Sequence, residues 1–190
     1  MRRALTLLLV LLLAGCSAGG SPKPEPTNIG GLQTFTEEPT PRHTTHRVTY
    51  DHTPPAGGKH WPPGGGGVKG WLRCGVYDAP VPNEFAVHSE EHGAVWLTYQ
   101  PGKDATALTK LYDARKDYVL VSPYPGQPGT YMASTWGAQL TVDSGDDPRL
   151  KSFLDSYAGG GQGGEKGADC AHGDLPATAA AALVKANPGS

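Results

Sequence analysis

Charge is sparse in this chain and nowhere concentrated. Asp, Glu, Lys and Arg make up 18 % of its 190 residues, and the formal net charge is -2. No block of like charge and no Lys/Arg-rich stripe is present, which argues against a nucleic-acid partner. No apolar run reaches the roughly 20 residues of a membrane span. The chain has two methionines. Met1 starts the leader, and Met132 alone cannot build a copper(I) site of thioethers. No two of the three cysteines stand at the short spacing of a zinc site. Ser122 and Ser134 lack the G-x-S-x-G surroundings of an activated serine. The glycines at 64–67 precede VKG rather than a Lys-Ser/Thr helix start, so no phosphate loop is formed.

The first sixteen residues, MRRALTLLLVLLLAGC, combine Arg2 and Arg3 with an apolar run ending at Leu13. This is the pattern of a secretory signal, placed at 1–15. Leu13-Ala14-Gly15-Cys16 resembles the lipobox of bacterial lipoproteins. The resemblance implies a diacylglyceryl group on the Cys16 thiol and cleavage just before it. Lipid chains contribute about 0.8 kcal/mol per buried methylene, and two or more hold a protein durably on a membrane. The expected location is the outer face of the cytoplasmic membrane. Cys74 and Cys170 then remain, an even pair in an oxidising compartment, and are expected to form a disulfide. Closing so long a loop contributes on the order of 4–5 kcal/mol in the chain-entropy view.

The chain holds 27 glycines and 18 prolines, so loop is abundant. Residues 16–45 are small, polar and proline-rich, and read as a lipid-anchored tether. HRVTYD, 46–51, alternates like a short strand. Residues 52–82 cannot hold a helix. Their Trp61, Trp71, Leu72, Val76 and Tyr77 predict an ordered loop packed over a sheet, with 64–67 as its flexible part. A short helix over 84–92 ends at Gly93. Strands are expected at 94–99 and 117–124, and one or two across 131–142 around Gly137. A helix is expected at 105–114. Another, at 146–157, is capped by Asp146 or Asp147 and has Pro148 in its first turn. The order predicts a single small α+β domain over 46–158. It has a mixed or antiparallel sheet, two or three short helices and a long Pro/Gly-rich ordered loop. Residues 159–190 form a glycine-rich connector and an alanine-rich tail that returns Cys170 to the body.

VHSEEHG, 87–93, concentrates the chemistry. In a helix, His92 lies about 40° round from His88 and Glu91 about 60° the other way, so the three converge while Glu90 faces away. HSEEH formally fits the H-x-x-E-H pattern of one zinc peptidase class. The helix is too short for that class, however, and no downstream helix supplies a third carboxylate. His52 and His60 bracket TPPAGGK, a loop able to turn both rings toward His88 and His92. The expected metal set is therefore His52, His60, His88, His92 and Glu91. Imidazole-rich donors suit zinc or copper(II). His43, His46 and His172 read as peripheral. The competing reading is structural: buried proline-rich loops need side chains that satisfy their backbone, and histidines or Glu91 serve that purpose.

Three segments carry a family likeness: HTPPAGGKH at 52–60, CGVYDAPVPNEFAVHSEEHGAVWLTYQP at 74–101 and TWGAQLTVDSGDDPRLKSFLDSY at 135–157. Pro54, Pro55, Gly58 and His60, then Gly75 and Tyr77, then Val87, His88, Glu91, His92 and Gly93 resemble the signature of domain of unknown function 3105. That is a family of bacterial, chiefly actinobacterial, anchored or secreted proteins. An apolar residue is frequent before the motif glutamate, and Glu90 stands there here, a change that a solvent-facing position absorbs. The likeness implies that these residues belong together and assigns no activity. Three functions fit: a lipid-anchored binder of copper or zinc, an envelope interaction or scaffold domain with a protein partner and structural histidines, or a metal-dependent hydrolase with Glu91 as general base.

Overall fold

Burial on both faces of the central strands decides the layering. In the computed structural model, which describes residues 28–36, 43–44, 46–61, 71–160, 162–165, 167–173 and 176, six strands form one mixed sheet. They are β1 (Gln33–Thr34), β2 (Gly75–Val76), β3 (Val95–Tyr99), β4 (Val119–Pro123), β5 (Tyr131–Thr135) and β6 (Ala138–Val142), in the order β1-β6-β5-β3-β4-β2. The three helices are α1 (Asn83–Glu91), α2 (Thr106–Ala114) and α3 (Pro148–Tyr157). β3 runs parallel to β4 and antiparallel to β5, and β2 runs parallel to β4. The signal peptide, Cys16, the glycines at 64–67 and the alanine-rich tail lie outside the described residues.

Alternate residues of each strand serve different layers. Val95, Leu97, Val119, Val121, Ala133 and Leu140 pack against Leu108 of α2 and Leu150, Phe153 and Leu154 of α3. Trp96 and Leu120, from the same strands, face the other way and meet Phe85 and Ala86 of α1 with Trp61 and Leu72 of the proline-rich loop. The sheet is thus covered twice, by helices on one face and by α1 with its loop on the other. That is why β3 and β4 read as continuous apolar runs. The α+β expectation holds, and the sheet is mixed.

Local chemistry accounts for the elements. Asp147 caps α3 by accepting from the Arg149 amide, with Pro148 in the first turn. Gly137, at φ 73°, makes the β5–β6 turn. α1 ends where Ala94 N–H donates to Ser89 O at 2.9 Å and Gly93 N–H to Glu90 O at 2.9 Å. With Gly93 at φ 87°, this is a Schellman close.

Three sequence expectations are corrected. Residues 46–51 are not a strand. The Val48 amide donates to Glu84 Oε1 at 3.2 Å and Arg47 Nη1 to Glu84 Oε2 at 3.3 Å. A buried helix carboxylate thus takes the backbone group a strand ladder would have used. The stretch read as tether, 16–45, also contributes to the fold: β1 pairs antiparallel with β6, and Ile29 and Leu32 pack on the core. Glu90 is not solvent-facing but fully buried, and its Oε2 accepts the Gly57 amide at 2.8 Å.

Cys74 and Cys170 are joined by a disulfide, with Cα atoms 4.9 Å apart. The bond holds the returning connector against the body, where Trp71 Nε1 donates to Asp169 O at 3.0 Å. No described helix is long and apolar enough to cross a membrane.

Candidate functional site

α1 is buried from Glu84 to Glu91, so its last turn projects into protein rather than solvent. The Schellman close fixes His88, Glu91 and His92 at that end. Three other pieces of chain converge on it. The loop 52–60 brings His60, the segment before it brings His43, and the connector brings Glu165.

His60 is completely buried. Its Nδ1 lies 3.0 Å from Gly58 O, and a carbonyl only accepts, so Nδ1 carries a proton. Its Nε2 stands 2.9 Å from Glu91 Oε2. A lone pair facing a carboxylate oxygen at that separation repels it. A proton held between the two atoms, on either of them, or a cation shared by both removes the repulsion. His92 is fixed in the same manner. Its Nε2 lies 2.9 Å from Glu165 Oε2, so Nε2–H donates and the lone pair sits on Nδ1. That Nδ1 is buried and bonded by no described residue, as is His88 Nδ1.

Burial pushes the His88 pKa down to about 3, with the fields of His60, His92 and His43 in the same direction and Glu91 opposing. His88 is therefore neutral at pH 7, which is the form that binds metal. The rings are close. Centroids are 5.0 Å apart for His60 and His88, 4.8 Å for His88 and His92, and 5.0 Å for His43 and His60. Trp71 packs its ring 4.2 Å from His92, and Trp136 lies 5.8 Å from His60.

Among the described residues, two sets of ligand-type side chains stand with their ligand atoms within 4.8 Å of one another: His43, His60 and Glu91, and His88, Glu91 and His92. Four of the five residues expected from sequence, His60, His88, His92 and Glu91, therefore lie together. His52 does not join them: its ring stacks on Phe35 at 3.6 Å. His43, read as peripheral, belongs here instead, with Nε2 3.9 Å from Glu91 Oε2. It forms a parallel bridge with His60, and the Thr44 amide donates to His60 O at 2.9 Å. Its place in a proline-rich stretch hid it; a histidine just ahead of an apolar segment was the only signal. Glu165 was also missed, in a connector where composition signals nothing but flexibility.

Glu91 is additionally pressed by the connector. A Cβ on Gly163 would overlap the Glu91 backbone, so only glycine allows this approach. Ser122 accepts from Trp96 Nε1 and Ser134 from Gln139 Nε2, both inside the sheet, so neither is placed as a nucleophile.

No curated protein and no solved structure matches the chain. Residues 42–172 match the family model described as "Protein of unknown function (DUF3105)". That span holds His43, His60, His88, Glu91, His92, Glu165 and both disulfide cysteines, so the chain belongs to the DUF3105 family.

Proposed function

We propose that the protein is a lipid-anchored, extracytoplasmic binder of a transition metal, zinc or copper(II), held by the histidines around Glu91. The observation that carries this reading is the paired fixing of His60 and His92. His92 has Nε2 committed to Glu165 and a buried Nδ1 with no partner among the described residues, while His60 has Nδ1 committed to Gly58 O and Nε2 turned onto Glu91 Oε2. Outer acceptors of this kind orient metal-binding imidazoles and raise their basicity. Tetrahedral zinc ligands about 2.0–2.1 Å from the ion stand about 3.3–3.4 Å apart. The 2.9 Å between His60 Nε2 and Glu91 Oε2 is a hydrogen-bond separation that would open by about 0.4 Å to take an ion between them. Donor chemistry narrows the ion. Imidazole and carboxylate suit zinc and copper(II), and both described cysteines are committed to their disulfide. The leader 1–15 and Cys16 support the anchor, and a disulfide suits the outer face of the membrane.

The test is elemental analysis of the full chain, exported, oxidised and carrying no histidine tag. It is paired with zinc and copper titration of the wild type and of the His88→Ala/His92→Ala double variant, both checked for folding. Tight metal lost only in a still-folded variant supports the reading. No metal, or equal weak uptake by both, sinks it and leaves an envelope scaffold domain whose imidazoles fasten a loop.

A further inference from the structure

The five donors do not form one group. They divide into two triads that share a single residue, Glu91. Donors bound to one zinc or copper ion at about 2.0–2.1 Å cannot stand more than about 4.2 Å apart, even across the ion. The ligand atoms decide this: among the described residues the two groups within 4.8 Å each take one pair of imidazoles, His43 with His60 and His88 with His92. The rings run in a row, with centroids 5.0 Å apart from His43 to His60, 5.0 Å from His60 to His88 and 4.8 Å from His88 to His92, and 6.3 Å from His43 to His88. The carboxylate lies between the pairs. Its Oε2 faces His60 Nε2 at 2.9 Å and His43 Nε2 at 3.9 Å.

We infer that this is a dinuclear centre, with two divalent ions bridged by the Glu91 carboxylate. One ion lies with His43 and His60, which face Oε2, and the other lies with His88 and His92. The inference rests on the metal-binding reading above and specifies its stoichiometry and symmetry. Carboxylates span ions about 3.5–4 Å apart in two-metal sites. The two halves are unequal. His88, Glu91 and His92 are buried, whereas the His43 side chain is 50 % exposed. The His43 side is therefore the rim through which ions and solvent reach the pair. Each ion has two imidazoles and a share of one carboxylate, fewer protein ligands than a closed structural site of four. Each keeps positions for water or a small anionic ligand.

The experiment loads metal-free full chain with copper(II) or zinc against a competing chelator. Bound metal is counted by elemental analysis, and the copper form is followed by electron paramagnetic resonance. Two equivalents in the wild type are expected, with the signal of the second copper broadened or lost through coupling to the first. His43→Ala, at a half-exposed position, is expected to keep its fold and hold one equivalent with an uncoupled signal. One equivalent in both proteins overturns the dinuclear centre and leaves the single-ion reading standing. Two equivalents with uncoupled signals in the wild type overturn the shared carboxylate. No tight metal in either removes both readings.

Discussion

His92 Nε2 stands 2.9 Å from Glu165 Oε2, so the tautomer of a buried imidazole is set by a residue from the far side of the disulfide loop. Glu165 is half exposed and packs no core. Glu165→Ala leaves the His92 Nε2–H without its acceptor and is expected to lower stability by about 1 kcal/mol, and to weaken metal binding about 10–100-fold, the usual cost of losing an outer partner of a histidine ligand. Chelator competition measures the second effect and calorimetry the first. Equal affinity in the two proteins would show that His92 does not need this acceptor.

The same connector is held by the Cys74–Cys170 bond, whose ends lie 96 residues apart in sequence. Replacing both cysteines with serine removes about 4–5 kcal/mol in the chain-entropy view. It also releases the segment carrying Glu165 and Gly163. The expected result is a large loss in urea midpoint together with a metal-affinity loss at least as great as that of Glu165→Ala. Stability lost with affinity intact would separate the disulfide from the site.

Glu90 fastens the proline-rich loop to α1 by accepting the Gly57 amide. Glu90→Ala leaves that buried donor unpaired and is expected to cost about 1–3 kcal/mol. Glu90→Gln keeps an accepting oxygen and is expected to cost less. Urea denaturation of both variants checks the order; equal losses would mean that the bond to Gly57 is not what Glu90 supplies.

How much of this was legible in the sequence depends on the range of the contacts. The turn of α1 that gathers His88, Glu91 and His92 follows from helical spacing and Gly93, both local, and the strands 95–99 and 119–123 follow from unbroken apolar runs. Helical spacing ranks faces relative to each other, however, and cannot say that every face is covered. Glu90 therefore looked solvent-facing, although the loop closes over it. His52 and His60 looked equivalent because both flank the same glycines. Phe35, from a segment read as tether, captures the His52 ring, while Gly58 O turns His60 inward. His43 and Glu165 reach the site through a bridge and a disulfide-held connector, contacts with no local pattern to betray them.

The last prediction concerns acid. In the metal-free protein, His88 is faced by Glu91 and His92 from its own helix end, by His60 and His43 from the incoming segments, and by the Trp71 ring. Burial and the neighbouring imidazoles outweigh Glu91 and push its pKa from 6.5 to about 3. The unfolded chain takes up this proton below about pH 6.5, and the folded chain does so only near 3. Between those values the unfolded state binds more protons, so stability falls as pH falls through the window and is fully present above it. The slope from this group is at most about 1.4 kcal/mol per pH unit. His88→Asn cannot titrate. Urea midpoints of chelated wild type and variant, taken from pH 7.5 to 4.5, are expected to approach each other as pH drops, because only the wild type loses the His88 contribution. Parallel curves would mean that His88 takes up its proton as easily folded as unfolded, and that the imidazole is not held neutral at the end of α1.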